Sequence, residues 1–135
     1  MSAPVLLDAS FLIALERETA SGTVGPARQF LPSLRGRPLV ISVVTVEEIL
    51  EGAANEARAL ATLQRFVVQG LHLAQARTCA LLQRRAARRM GENDAWLVAT
   101  AESIGADVVA ADRSAFDRLA SRCLRFQELP RRPVA

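Results

Sequence analysis

Residues 92–112, ENDAWLVATAESIGADVVAAD, predict a helix that leads directly into a strand. The helix begins at Asn93 or Asp94, and Gly105 is a typical helix end. The following stretch, DVVAA, is apolar and β-branched, as strands are, and Asp112 stands at its end. A helix followed by a buried strand is the repeating unit of α/β domains.

The N-terminal half predicts two more units of strand and helix, this time with the strand first. Residues 5–7 form a short apolar strand that ends at Asp8, and Ser10 is then expected to cap a helix. Residues 38–44, PLVISVV, form a second strand. The helix after it carries Glu48.

The remaining pattern continues this alternation. It predicts a short helix from Pro26, which Pro32 distorts or ends early. Further helices are predicted over 55–67, over 75–89 and through Phe116 and Leu119. Short strands are predicted over 71–73 and 124–126. We expect an α/β fold with a central, mostly parallel sheet. Residues 1–135 fit one domain, with 130–135 as a mobile tail.

The basic residues exclude several classes of protein. All 17 are Arg, since the sequence contains no Lys. A Walker-type phosphate loop needs its Lys and is excluded; a receiver-type phosphoacceptor domain, which also uses a Lys, is disfavoured. The net charge of +3 is compatible with an RNA partner.

The histidine and cysteine content narrows the chemistry further. A single histidine, His72, cannot supply a zinc site or a Ser-His-Asp mechanism, and it is read as a structural or surface residue. Cys79 and Cys123 lie in no paired motif and are read as buried thiols in a reducing cytoplasm. No secretory signal or apolar span of membrane length is visible, so we expect a cytoplasmic protein that does not associate with a membrane.

Four acids fall at matching positions of the predicted fold. Asp8 and Asp112 follow strands, Glu48 lies in the first turn of the helix after the second strand, and Asp94 begins a helix after a loop. Sites in open α/β sheets form at the carboxyl ends of the strands, so we expect one cleft to hold all four.

Such a cluster favours a divalent cation, because carboxylates held together repel each other. Mg²⁺ and Mn²⁺ prefer oxygen ligands and keep waters that reach phosphate oxygens. Acids with Mg²⁺ on a basic domain therefore indicate phosphodiester hydrolysis.

Each acid also has a purely structural interpretation. Asp94 and Asp112 are good N-caps, and Asp8 is a typical turn residue. Thr45 and Glu48 have the T-x-x-E spacing of a capping box. Taken singly, each acid fits capping; taken together, they favour a site.

Three segments resemble the PIN domain, specifically the VapC-type toxin ribonucleases of toxin–antitoxin pairs. They are VLLDASFLIALE at 5–16, ISVVTVEEILEGA at 41–53 and ENDAWLVATAESIGADVVAADRSAF at 92–116. The resemblance covers nearly the whole chain, and it matches Asp8 with Ser10, Glu48 beside Glu47, Asp94 and Asp112. One departure is Ala110, where the family often has Thr or Ser.

The resemblance implies a three-layer PIN-like fold, Mg²⁺ or Mn²⁺ at an acidic cleft, and endonucleolytic cleavage of RNA, often structured RNA such as tRNA. It further implies a homodimer and a cognate antitoxin that blocks the site. Asp8, Asp94 and Asp112 are then metal ligands, directly or through water. Glu48 holds a second metal or a metal-bound water, and Ser10 orients a carboxylate or water unless it is simply the N-cap.

Other residues remain open to two interpretations. Arg84, Arg85, Arg88 and Arg89 form either a phosphate-binding stripe at i,i+4 spacing or a solvated helix face. Trp96 either stacks on a base or packs in the core. Four apolar residues fit a dimer or antitoxin surface as well as core packing: Leu12, Leu15, Phe30 and Leu34.

Two rival functions remain. The first is a non-catalytic PIN-like module that binds RNA or protein, and metal titration separates it from an enzyme. The second is another acidic-pocket hydrolase or phosphotransfer domain, which would act on small phosphate esters rather than on RNA.

Overall fold

The computed structural model describes residues 2–111 and 123–127. Its strands are β1 (Val5–Leu7), β2 (Leu39–Ser42), β3 (Val67–Gln69), β4 (Asp107–Ala110) and β5 (Cys123–Arg125). Its helices are α1 (Ala9–Ser21), α2 (Pro26–Phe30), α3 (Val43–Glu51), α4 (Glu56–Leu63), α5 (Leu73–Arg85) and α6 (Glu92–Ile104). A 3-10 turn over Leu31–Leu34 follows α2 and contains Pro32, as the sequence predicts.

The five strands form one sheet in the order β3-β2-β1-β4-β5, and every pairing is parallel. β1 lies at the centre, with Val5 opposite Leu39 of β2 and Leu7 opposite Val109 of β4. The predicted α/β fold with a mostly parallel sheet is therefore confirmed, and the described sheet is parallel throughout.

Both faces of the sheet are covered by apolar packing. Val5 and Leu7 belong to a cluster with Phe11 of α1, whereas Leu6 belongs to a separate cluster with Val98 of α6. Successive residues of a strand point to opposite faces, so β1 contributes to both clusters. A strand buried on both sides needs an uninterrupted apolar run, which explains the sequence VLL.

The segment after α3 differs from the prediction. The helix expected over 55–67 is shorter, because α4 ends at Leu63 and Val67–Gln69 forms β3. The strand expected over 71–73 is therefore wrong. Val67 and Val68 are β-branched and pair with β2 at the edge of the sheet, where their side chains remain largely exposed.

The long helix predicted over 75–89 also ends early. α5 stops at Arg85, and Ala86 already has extended backbone angles. The side chain of Gln83 then holds the chain that follows: its amide nitrogen donates to the Met90 carbonyl oxygen at 3.1 Å, and its oxygen accepts from the Met90 N–H at 2.9 Å. This pair of hydrogen bonds turns residues 86–91 back toward α5.

A buried carboxylate joins α1 to α2. Glu18 accepts hydrogen bonds from the backbone N–H groups of Gly25, Ala27 and Arg28 at 2.8 to 3.0 Å. These groups begin α2 and lack partners inside the helix. A Cβ atom built on Gly25 would lie 2.7 Å from the Glu18 carboxyl carbon, so only glycine allows this close approach.

Several predictions fall outside the described residues. They are the placement of Asp112, the helix through Phe116 and Leu119, and the tail over 130–135. One domain over residues 1–135 thus stays a prediction. Within the described ranges, no helix combines the length and the apolar character needed to cross a membrane.

Candidate functional site

The candidate site lies at the carboxyl ends of the central strands. From β1 the chain proceeds to β2 and β3 on one side, and it later returns to add β4 and β5 on the other side. The carboxyl ends of β1 and β4 therefore flank the point where the strand order reverses. Ligands of open α/β sheets bind at such a point. Asp8 directly follows β1 there.

Asp8 is a buried carboxylate, only 3% exposed. It is the N-cap of α1, and its side chain accepts hydrogen bonds from the Ser10 N–H at 3.3 Å and the Ser10 hydroxyl at 2.6 Å. The expectation that Ser10 caps this helix is therefore wrong, because Ser10 is its second residue. The cap is the aspartate itself, whose side chain accepts from one orphan N–H of the first turn, that of Ser10.

Ser10 connects the two central strands at their ends. Its hydroxyl oxygen accepts a hydrogen bond from the backbone N–H of Ala111 at 3.0 Å while its hydrogen points to Asp8. Ala111 directly follows β4. One hydroxyl thus fixes the position of the Asp8 carboxylate relative to the end of β4.

Glu48 does not take part in the predicted capping box. The N-cap of α3 is Ser42, whose hydroxyl accepts from the Val44 N–H at 3.1 Å. Thr45 is therefore inside the first turn and Glu48 lies in the second. The structural role offered by the T-x-x-E spacing is absent, and the half-buried Glu48 side chain instead lines an open cleft.

Asp94 lines the same cleft from α6. The N-cap of α6 is Gly91, so the expected N-cap role of Asp94 is wrong; Asp94 is in the first turn of the helix. An acidic side chain there also interacts favourably with the helix dipole. The cleft has a volume of about 360 Å³ and is lined by Glu48, Gly91, Glu92, Asn93 and Asp94.

The structure thus brings two of the four predicted acids into one cleft and puts a third, Asp8, at the strand ends. Within residues 2–111 and 123–127, no group of three or more Asp, Glu, His or Cys side chains is arranged to hold a metal ion. Asp112 lies outside these residues. Ala110, the departure from the family pattern, is fully buried in the cluster of apolar residues against α6.

Two features of the site have no counterpart in the sequence interpretation. The Gln83 side chain fixes Met90, and so holds the segment that leads into α6 and Asp94. The hydroxyl of Thr45 is fully buried and has no hydrogen-bond partner in the part of the chain that the structure describes. Thr45 had a visible signal, its spacing to Glu48, but that spacing favoured a cap.

The predicted arginine stripe is not a single helix face. Arg84 and Arg85 are exposed in the last turn of α5, but Arg88 and Arg89 lie beyond the helix end. The i,i+4 argument is therefore wrong for both pairs. Arg89 forms an exposed ion pair with Glu92 at 3.0 Å.

The remaining candidates are structural. His72 is the exposed N-cap residue of α5, and its backbone N–H donates to Gln75 at 2.8 Å. Trp96 packs against a small cluster that contains the buried Cys79. Burial raises the pKa of the Cys79 thiol. Of the apolar residues weighed as a docking surface, Leu12, Phe30 and Leu34 are buried in the main core, and the half-buried Leu15 packs against it.

Fold and site together define a parallel α/β domain with acidic residues at the carboxyl edge of its sheet. The chain belongs to the PIN domain family, whose model matches residues 5–121. The resemblance found in the sequence is thereby confirmed. No curated protein matches the chain.

Solved structures with this fold come from toxin–antitoxin complexes. One from Klebsiella pneumoniae has a TM-score of 0.74 at 23% identity and covers 95% of this chain and 100% of its own. A chain of DNA-bound VapBC from Salmonella typhimurium has a TM-score of 0.68 at 21% identity, covering 93% and 99%. A chain of VapBC-5 from Mycobacterium tuberculosis has a TM-score of 0.64 at 26% identity, covering 92% and 99%.

Proposed function

We propose that this chain is a Mg²⁺- or Mn²⁺-dependent endoribonuclease and the toxin of a toxin–antitoxin pair. The observation that carries the proposal is the cleft shared by Glu48 and Asp94. These acids come from separate helices, and neither occupies the N-cap position that would explain it structurally.

The position of Asp8 supports the same conclusion. Its carboxylate is buried at the end of the central strand, beside the reversal of strand order, and is oriented by the Ser10 hydroxyl. A buried carboxylate held in one orientation is preorganised to bind a cation or a water.

The donor chemistry fits a hard divalent cation. The candidate ligands are carboxylate oxygens, which Mg²⁺ and Mn²⁺ prefer over the nitrogen and sulfur donors that zinc favours. A cation bound there would neutralise charge on the phosphate and lower the pKa of a bound water.

Each acid then has a defined task. Asp8, Asp94 and Asp112 hold the cation directly or through water, and Glu48 holds a second cation or a water. Ser10 is a positioning residue that keeps the Asp8 carboxylate in place. The exposed Arg84 and Arg85 at the end of α5 are available to contact phosphates of the RNA. We propose the same contact for Arg88 and Arg89, which lie in the loop after α5.

The assignment as a toxin extends the structural likeness. The similar chains belong to complexes of a toxin with its antitoxin. By this analogy the partner is a cognate antitoxin protein, the active form is a homodimer, and the chain acts in the cytoplasm on RNA.

The test incubates the purified chain with total RNA in Mg²⁺ or Mn²⁺, beside Asp8→Asn, Glu48→Gln and Asp94→Asn. Asparagine also caps helices, so Asp8→Asn preserves the cap of α1. Two exposed acids outside the cleft serve as matched controls: Glu47→Gln for Glu48 and Glu102→Gln for Asp94. We expect RNA cleavage by the wild type and both controls, and its loss in the three site variants and in EDTA.

The result also distinguishes the proposed nuclease from the alternative, a PIN-like module that binds RNA or protein without catalysing cleavage. That alternative predicts no cleavage by the wild type and no stabilisation by Mn²⁺. Equal cleavage by the wild type and the site variants would refute the proposed residues, even if the chain is a nuclease.

A further inference from the structure

The hydroxyl of Thr45 is an anomaly in this structure. The side chain is fully buried, and within residues 2–111 and 123–127 its Oγ1 is the one buried side-chain oxygen or nitrogen without a hydrogen-bond partner. Proteins rarely leave such an atom unpaired, because no hydrogen bond within the protein replaces those that it made to water in the unfolded chain. The orphan therefore requires a partner that the described residues do not supply.

Other helical threonines show the usual solution. The hydroxyls of Thr19, Thr62 and Thr100 each donate to the carbonyl oxygen four residues earlier, at 2.8 to 3.2 Å. Thr45 is only the third residue of α3, and the residue four positions earlier is Ile41 in β2. No helical carbonyl lies in the required place.

Thr45 is not the N-cap of its helix either. A threonine near a helix start often caps it, but Ser42 already caps α3 through its own hydroxyl. The position of Thr45 thus excludes both of the bonds that a threonine ordinarily makes within its own helix.

Thr45 lies on the same helix as Glu48, a residue that lines the acidic cleft. It precedes Glu48 by three residues, which puts both on one side of α3 about 4.5 Å apart along the helix axis. Glu48 lines the cleft that Asp94 borders from α6. Ser42, at the start of the same turn, directly ends β2, which pairs with the β1 strand that leads to Asp8.

We infer that the Thr45 hydroxyl is a further polar group of this cleft and makes its hydrogen bond with the hydration shell of a divalent cation bound there. Mg²⁺ and Mn²⁺ sites keep several waters, and those waters need acceptors on the protein. Thr45 is a positioning residue, which acts on the cation through water. This inference rests on the proposed function.

The test compares Thr45→Val, which removes only the hydroxyl, with Thr45→Ser, which retains it. Thr100→Val is the matched control, because Thr100 is equally buried but its hydroxyl has a partner, the Trp96 carbonyl. The readouts are the melting temperature without metal and the Mn²⁺ dissociation constant from calorimetry, so neither depends on RNA cleavage.

We expect Thr45→Val to melt no lower than the wild type without metal, since it removes an unpaired polar atom, while Thr100→Val melts lower. We expect Thr45→Val to weaken Mn²⁺ binding by about tenfold, the lower end of what loss of an outer partner costs a metal site. Thr45→Ser and Thr100→Val should bind Mn²⁺ as the wild type does.

Three results would overturn the inference. Equal Mn²⁺ affinity of Thr45→Val and wild type would do so while leaving the proposed function intact. A metal-free Thr45→Val that melts below the wild type, or fails to fold, would give the hydroxyl a structural partner instead. A wild type that binds no Mn²⁺ would overturn both proposals.

Discussion

The backbone N–H of Ala111 donates to the hydroxyl oxygen of Ser10 at 3.0 Å, across 101 residues of sequence. The same hydroxyl donates to Asp8 at 2.6 Å. A single side chain therefore links the end of β4 to the carboxylate that follows β1.

Ser10→Ala should impair both stability and activity. The substitution leaves the Ala111 N–H without its partner and frees the Asp8 carboxylate to rotate, which should cost about 1–3 kcal/mol of unfolding free energy. Urea denaturation measures the stability and RNA cleavage the activity. Ser21→Ala is the control, because its hydroxyl bonds at the exposed end of α1; an equal effect of the two would contradict a special role for Ser10.

Gln83→Leu should lower activity although Gln83 carries no charge and lies outside the acidic cleft. Two hydrogen bonds to Met90 are lost, so the segment entering α6 is released and Asp94 loses its fixed position. We expect a loss of about 1–3 kcal/mol in stability and a lower kcat. Gln64→Leu, at an exposed glutamine that ends α4, is the control. An unchanged kcat in Gln83→Leu would contradict the prediction.

Gly25→Ala should destabilise the junction of α1 and α2. Its new Cβ would overlap the Glu18 carboxyl group at 2.7 Å and displace a carboxylate that caps three N–H groups. We expect the free energy of unfolding, measured by thermal denaturation, to fall by about 1–3 kcal/mol. At Gly52 the nearest atom to an added Cβ is 3.8 Å away, so Gly52→Ala should be tolerated; similar losses in the two variants would show that steric overlap is not the cause.

Cys79 should react slowly with thiol reagents. Its burial raises the pKa of the thiol, so less of the nucleophilic thiolate is present at neutral pH, and reagent access is restricted as well. Alkylation by iodoacetamide, followed by mass spectrometry, should modify Cys79 several-fold more slowly in the folded protein than in the urea-unfolded chain. Equal rates would contradict the packing of α5 against α6.

The strand ends could be predicted from the sequence because they depend on local pattern. Apolar runs such as VLL and DVVA mark buried parallel strands, and an acid directly after such a run must lie at the carboxyl edge of the sheet. The order of the strands confirms this for VLL and Asp8, whereas Asp112, which follows DVVA and Ala111, lies outside the described residues.

The helix starts were harder to predict, because caps depend on how the chain enters each helix. Asp8 rather than Ser10 caps α1, Ser42 displaces the Thr45 cap, and Gly91 begins α6 ahead of Asp94. These shifts of two or three residues decide which residue caps each helix and which acids lie within the helix instead.

The end of α5 depended on a contact that no local pattern reveals. Arg88 and Arg89 continue the helical composition, but the Gln83 bonds to Met90 favour a turn. Tertiary hydrogen bonds of this kind override helix propensity.

The position of β4 beside β1 also determines when the fold around the cleft can form during synthesis. β1 and Asp8 are synthesised well before β4, the neighbour of β1 that begins only at Asp107. A product that stops before Asp107 has neither β4 nor the Ala111 N–H that bonds to Ser10. Under the proposed function, we therefore expect activity only from chains in which synthesis has passed β4.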